Sequence, residues 1–180
     1  MQRNALGMAT LALLAAFAQS AHANDALVRF SGAIGVDPVA SLNTATTNVV
    51  RGINPGGRHW VLRKLKVTVG TDGSISANGS GLLFGSGELI GTRGSVTSVL
   101  ATLACGAANS TATLFSSPAA DLDLAGNFRI KGALTQDGVN AAVMPPTCDN
   151  PALLIRSVNT TTGLAGNWFA AGIPASGDDD

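Results

Sequence analysis

The sequence predicts an all-β protein, a single antiparallel β-sandwich of about eight to ten short strands. Apolar and polar residues alternate with a period of two through most of the chain after residue 24, as expected for half-buried strands. Turn-forming residues separate these segments at intervals of about 8–12 residues. The 180 residues are 46% apolar and 12% charged, a composition that favours one folded core over disorder.

The N-terminal segment has the layout of a secretory signal peptide. A positive start, Met1–Arg3, precedes an apolar run over 6–18, and the small-residue site Ala21–Ala23 follows. The run of about 13 residues is shorter than the about 20 that a membrane-spanning helix needs. We therefore expect cleavage after Ala23, export to the periplasm or the medium, and a mature domain over 24–172.

The first half of the mature domain is predicted to contain strands joined by tight turns. We expect strands at 26–34, 60–70 and 74–77, and either a strand or a long loop at 42–50. The segment 60–70 has the clearest alternation. It places Val61 on the apolar face, and Trp60 on the opposite face with Lys64 and Lys66.

The second half is predicted to continue as a series of short strands. In one of them, Phe128, Ile130 and Leu134 alternate with Arg129 and Lys131, which is the pattern of a half-buried strand. The expected strands lie at 81–84, 88–90, 95–105, 111–115, 120–124, 128–134, 152–158 and 166–173.

An eight-stranded outer-membrane barrel is the rival architecture. Such barrels carry girdles of aromatic residues at both membrane interfaces, whereas this chain has two Trp, six Phe and no Tyr. The acidic run Asp178–Asp180 is also a poor candidate for a closing strand. The sandwich is therefore favoured, and the segment 173–180 is expected to be a disordered acidic tail.

Cys105 and Cys148 are the only cysteines. An exported protein meets an oxidising compartment, so an even cysteine count favours a disulfide. Two free thiols are the alternative. Because the cysteines are far apart and His59 is the one histidine beyond the signal segment, we expect no metal site and no cofactor.

Residues suited to acid–base or nucleophilic chemistry are sparse. His59 would have to serve any Ser-His-Asp triad, and the chain has no GxSxG motif. Glu88 is the only glutamate, and no spacing pairs it with an aspartate as glycoside hydrolysis requires. The glycine-rich stretch 79–91 indicates bulges and tight turns rather than a dinucleotide-binding loop. We therefore predict no catalytic residue.

Several aspartates lie beside predicted turns, where their side chains can accept hydrogen bonds from nearby backbone N–H groups. They are Asp72, Asp121, Asp123 and Asp137. The stretch 121–126 begins like a calcium-binding loop but lacks the later carboxylate ligands. We interpret it as a hairpin turn.

The candidate binding patch surrounds the start of the 60–70 strand. It comprises Arg58, His59, Trp60, Lys64 and Lys66, a combination suited to an anionic glycan or surface polymer. A solvated strand face, with lysines that discourage edge pairing, is the alternative. Equal numbers of basic and acidic residues, eleven each, argue against nucleic-acid binding.

Two stretches resemble a group of small uncharacterised bacterial exported proteins that carry one cysteine pair. The first is Pro55–Lys64, with the sequence PGGRHWVLRK. The second combines Gly91–Arg93, Ala101–Gly106, Cys148 and Pro151–Arg156. The resemblance covers most of the mature domain and implies a secreted, cysteine-paired, strand-rich bacterial protein. It implies no activity.

The sequence therefore favours an exported, non-enzymatic β-domain that acts as a binding or structural module. Its partner would be a glycan, a surface polymer or a protein. Self-association through strand edges is a further option, because low charge and exposed edges favour edge-to-edge pairing. The alternatives are a secreted hydrolase with a sparse site and a secreted inhibitor or effector of another protein.

Overall fold

The structure is a computed structural model of the full chain. It describes residues 25–38, 40–41, 44–136, 138–159 and 161–175. The predicted signal peptide, Asp137 and most of the predicted acidic tail lie outside the described residues. The segment predicted to be the mature domain can therefore be compared with its prediction almost throughout.

The described residues form strands and turns, as the sequence predicts, and none of them belongs to a helix that could cross a membrane. The all-β fold class is confirmed. The strands are β1 (Ala26–Gly35), β2 (Ala40–Ser41), β3 (Thr44–Thr47), β4 (Trp60–Val61), β5 (Lys64–Gly70), β6 (Ser74–Ser80), β7 (Leu83–Phe84), β8 (Ser98–Cys105), β9 (Thr113–Ser116), β10 (Ala120–Asp121), β11 (Phe128–Ala133), β12 (Ala152–Val158) and β13 (Ala165–Pro174).

The main sheet is antiparallel and strongly curled. Its strands follow the order β10-β8-β12-β13-β1-β5-β6-β11, and β9 pairs with β8 beside β10. The two ends of this order meet, because the backbones of Ser116 and Thr135 exchange hydrogen bonds of 2.7 and 2.8 Å. Hydrogen bonding thus connects the two ends of the main sheet. Its opposite sides face each other across the interior.

A single hydrophobic cluster fills the curl of the sheet. Strands β1, β5 and β6 contribute inward residues such as Phe30, Val67 and Ile75, and β8 and β12 contribute Leu103 and Leu153 from the other side. All five are at most 3% exposed. Each buried side chain of this kind stabilises the fold by about 1.5–3 kcal/mol, so this core accounts for most of the favourable free energy of folding.

The segment predicted as one strand, 60–70, is divided in two. β4 pairs with β7 in a separate small sheet, whereas β5 belongs to the main sheet. Arg63 and Lys64 are consecutive exposed residues and shift the alternation by one position. As a result Trp60 is 2% exposed and Val61 is 41% exposed, so the faces predicted for these two residues are wrong.

Several strand bounds differ from the prediction by a few residues, and two differences are larger in consequence. The segment 88–90 is a turn, in which the Ile90 N–H donates to the Gly87 carbonyl at 3.0 Å. β13 runs to Pro174, which pairs with Phe30, so the last strand extends past the domain boundary predicted at 172. Both differences lie where turn residues adjoin short apolar stretches, and boundaries of this kind are weakly encoded locally.

The predicted disulfide is present. The sulfur atoms of Cys105, at the end of β8, and Cys148, in the loop before β12, are 1.93 Å apart. The same loop is also held by the backbone, because the Gly106 N–H donates to the Asp149 carbonyl at 2.7 Å. The disulfide therefore ties the long 134–151 connection to the end of a core strand.

Candidate functional site

The outer surface of four neighbouring strands, β1, β5, β6 and β11, is polar and basic. In each strand apolar residues point into the core, so the alternate residues point outward. These outward residues lie side by side on one surface, because the four strands are consecutive in the sheet. We call this surface the basic face; it consists of Arg29, Ser31, Lys64, Lys66, Thr68, Ser76, Asn78, Ser80, Arg129 and Lys131.

The pairing of the strands arranges the basic face in rows. One row runs from Ser31 through Lys66 and Asn78 to Arg129, and the next runs from Arg29 through Thr68 and Ser76 to Lys131. Neighbouring strands are about 4.8 Å apart and alternate residues on one strand are about 7 Å apart. Adjacent cations therefore sit about 7–10 Å from one another at the backbone, with hydroxyl and amide groups between them.

Four cations of the basic face, on β5 and β11, have no charged or hydrogen-bonding partner among the described residues. None of its outward positions is Asp or Glu. In the described part of the chain, Lys64, Lys66, Arg129 and Lys131 form no side-chain hydrogen bond or ion pair, and all four are exposed. Like charges held this close repel each other modestly in water, so a bound anion would relieve that repulsion.

A shallow groove of about 490 Å³ lies on the part of the basic face that contains Lys64, Lys66 and Asn78. Part of the space comes from Gly32, which lacks a side chain and has a φ of +85°. This glycine lies in the bulge where the pairing of β1 with β13 shifts register. The bulge thus leaves room next to two of the cations.

The binding patch predicted from the sequence is dispersed by the fold. Lys64 and Lys66 lie on the basic face. Arg58 lies elsewhere, with its guanidinium carbon 5.6 Å from the centre of the Phe84 ring, and His59 is half-buried against Gly85.

Trp60 contributes to the core and not to a surface, which corrects its place in the predicted patch. Its ring centre is 4.2 Å from those of both Phe84 and Phe169, and the Phe169 ring is stacked on it. The cause is the break between β4 and β5, which turns Trp60 inward. Three aromatic rings packed in this way anchor the small β4–β7 sheet to the main core.

Three cations of the basic face were not included in the predicted patch. Arg129 and Lys131 alternate with core residues in the sequence, and Arg29 does so in β1. Their alternation shows only that they point outward from their own strands. They lie on the same surface as Lys64 and Lys66 because β11 pairs with β6 and β1 pairs with β5. Local sequence patterns do not encode these pairings.

The residues considered for catalysis do not converge. Glu88 is exposed in the 86–91 turn, and His59 contributes its carbonyl to the Gly85 N–H at 2.9 Å. Among the described residues, no three His, Cys, Asp or Glu side chains gather closely enough to hold a metal ion.

Two aspartates act in turns, as the sequence indicates. Asp72 accepts the Ser74 N–H at 2.9 Å. Asp123 accepts the Asn127 backbone N–H at 2.8 Å and its side-chain amide at 2.9 Å. These bonds, the backbone one first, lower the pKa of Asp123. The calcium-like stretch 121–126 is thus a tight turn between β10 and β11, as predicted, but it does not close a hairpin, because β10 pairs with β8 and β11 pairs with β6.

Comparison of the chain with protein-family models, with curated proteins and with solved structures found no match. A function must therefore be argued from the chemistry of this chain's own surfaces.

Proposed function

We propose that the protein is an exported, non-enzymatic binding module that contacts an anionic polymer through the basic face. The observation that carries this proposal is that Lys64, Lys66, Arg129 and Lys131 are exposed on one surface and form no hydrogen bond or ion pair among the described residues. The disulfide is compatible with an oxidising compartment. Export itself, and bacterial origin, rest on the signal-like segment and on the resemblance described above.

The shape of the basic face favours a polymer over a small anion. The cations are spread over a shallow surface at intervals of about 7–10 Å, so a small anion would meet only one or two of them. A single exposed ion pair contributes about 0.2–1 kcal/mol. Useful affinity therefore requires many contacts made by one linked ligand, because each contact after the first is intramolecular.

Nucleic acid is a poorer fit than another polyanion. Single-stranded nucleic acid is commonly held by aromatic side chains on which its bases stack. The outward positions of the basic face carry no aromatic residue, and Trp60, Phe84 and Phe169 are buried. The formal net charge of the chain is also zero, so long-range attraction of a highly charged duplex is weak.

The test is a binding titration of the exported protein against alginate, a polyuronate, with neutral dextran as the control polymer. We expect salt-sensitive binding to alginate and none to dextran, because salt screens exposed charges. Lys66→Gln should weaken alginate binding about two- to fivefold. Arg58→Gln removes the same charge away from the basic face and should have little effect.

The proposal fails if the protein binds no polyanion, or if Lys66→Gln and Arg58→Gln weaken binding equally. Lys66→Arg keeps the charge and should retain the affinity. That variant separates a loss of charge from a local disturbance of the strand.

A further inference from the structure

The two ends of the curled sheet meet at two points and leave a groove between them. Ser116 bonds to Thr135 at one point, and the Asp123 N–H donates to the Asn127 carbonyl at 3.0 Å at the other. Between these points, β10 pairs with β8 alone and β11 with β6 alone among the described strands. The groove has a volume of about 680 Å³.

The groove exists because the chain departs from regular strand geometry between β9 and β10. The Ser117 hydroxyl, and not a backbone carbonyl, accepts the Ala101 N–H at 2.9 Å. Pro118 follows and has no N–H to donate. This pair of residues separates β9 from β10, the two short strands that pair with β8.

The groove is too narrow to accept an additional strand along its whole length. A Cβ atom on Gly132 would lie 2.9 Å from the Pro118 ring, whereas strands that flank an inserted strand are about 10 Å apart. No partner strand can therefore be inserted between β11 and the connecting segment at Pro118. The open part is lined by side chains, so side chains would recognise its ligand.

The lining combines hydrogen-bond donors and acceptors. Asp121 is exposed and has no side-chain partner in the part of the chain that the structure describes; its carboxylate is an acceptor only. Asn127 uses one amide hydrogen on Asp123. The Ser98 hydroxyl and the Arg129 guanidinium complete the set. Vicinal hydroxyl groups, each a donor and an acceptor, match such a lining.

We propose that this groove binds a sugar ring of the polymer whose charges contact the basic face, so that the ligand is an acidic polysaccharide. The inference rests on the proposed function and narrows it. Arg129 connects the two surfaces, because it belongs to the basic face and also lines the groove. A polyphosphate offers the same charges without hydroxyl groups and would leave the groove unused.

Hydrolysis of the bound sugar is a weaker interpretation of the same groove. A general acid must hold a proton near neutral pH, for which glycosidases raise the pKa of one carboxyl group. Here the hydrogen bonds from Asn127 lower the pKa of Asp123. Asp123 is therefore unsuited to serve as that general acid.

The test compares two polyanions on the exported protein: alginate, which has hydroxyl groups, and inorganic polyphosphate, which has none. Asp121→Ala removes a negative charge, so charge alone would strengthen binding to both polymers. If the groove holds a sugar, the same change should weaken alginate binding about fivefold and leave polyphosphate binding equal or tighter. Glu88→Ala, an exposed carboxylate elsewhere, is the matched control.

The outcomes separate the two proposals. If Asp121→Ala strengthens alginate binding as much as Glu88→Ala does, the sugar site is wrong while the basic face stands. Binding to polyphosphate with none to alginate, hyaluronate or polygalacturonate would also overturn the sugar site. If Lys66→Gln leaves binding to both polymer classes unchanged, the proposed function fails as well. Unfolding midpoints of each variant show whether a lost affinity reflects a lost fold.

Discussion

Basic residues serve two different purposes on the two halves of the sheet. On the β8–β12–β13 half, Arg156 is half-buried and donates to the carbonyls of Gly166 and Ala165 at 2.8 and 3.1 Å and to the Thr102 hydroxyl at 3.2 Å. On the β1–β5–β6–β11 half, cations such as Lys66 are exposed and form no hydrogen bond or ion pair within the described structure. The first kind holds the fold together, and the second is available to a ligand.

Arg51, like Arg156, has a structural role, because its side chain connects two loops. Its guanidinium donates to the carbonyls of Ala107 and Asn150, the latter at 2.7 Å. Its own backbone has a φ of 53° and is followed by Gly52 at 78°, as a two-residue hairpin turn requires. The turn therefore aims a charged side chain at the two loops that the disulfide joins.

The largest expected effect in this comparison comes from the disulfide of the structural half. Replacing Cys105 and Cys148 with Ser opens a loop with a sequence separation of 43. The chain-entropy model attributes about 4 kcal/mol of unfolding free energy to a loop of that size. We expect a strong fall in the urea midpoint with no change in alginate affinity under conditions where the variant is folded. A large loss of affinity in the folded variant would show that the two halves are coupled.

Arg156→Ala is expected to have the next largest effect. It removes a side chain whose pKa is lowered by burial and leaves two carbonyl groups without their donor. Loss of hydrogen bonds to a charged group should reduce the free energy of unfolding by about 2 kcal/mol. Urea unfolding measures this loss. Affinity for alginate should stay within twofold of the unchanged protein, since Arg156 is not on the basic face.

The opposite behaviour is expected when the cations of the basic face are removed together. Replacing Lys64, Lys66, Arg129 and Lys131 with Gln removes about 0.5 kcal/mol of ion-pair energy at each position, which corresponds to about 30-fold weaker alginate binding. The free energy of unfolding should change little, because these side chains have no partner to lose. A folded variant with undiminished affinity would remove the distinction between the two halves.

The positions of the strands in the sequence were largely predictable. The pairing of the strands in the sheet was not. Alternation located β1, β5, β11 and β12 to within a few residues, because each has one face in the core. The disulfide was predictable from compartment and count. The curl of the sheet depends on contacts such as Ser116 with Thr135, and turn spacing does not distinguish such a sheet from two packed layers.

The candidate site shows the same division. Lys64 and Lys66 were found from one strand alone, but Arg129 and Lys131 joined them only through the pairing of β11 with β6. Trp60 was misplaced because a break of two residues reversed the side-chain alternation. The groove depends on Ser117, whose hydroxyl takes the place of a backbone acceptor. Local pattern therefore predicts which side chains face outward, and topology decides which of them meet.

A smaller effect is expected from the acidic run Asp178–Asp180, which lies outside the described residues. The chain reaches it from Ala175, whose N–H donates to the carbonyl of Arg29 at the edge of the basic face. Replacing the three aspartates with Asn removes three negative charges that follow Ala175 by three to five residues in the sequence. We expect alginate affinity to rise about two- to threefold at low salt and to be unchanged at high salt, because the effect is screened. A weaker affinity would mean that these carboxylates assist binding.

The smallest effect concerns two aspartates, one with hydrogen-bond partners and one without, as in the comparison of Arg156 with Lys66. Each carboxylate oxygen of Asp123 accepts a hydrogen bond from Asn127, whereas the Asp121 side chain, in the same groove, accepts none from the described residues. Because the folded-state pKa of Asp123 lies below its unfolded value, its contribution to stability is present above the unfolded pKa and is lost as pH falls through the folded pKa. Urea midpoints should therefore decline below about pH 4. Asp123→Asn should make that decline shallower and Asp121→Asn should not, so an equal change in both variants would show that the bonds from Asn127 are not the cause.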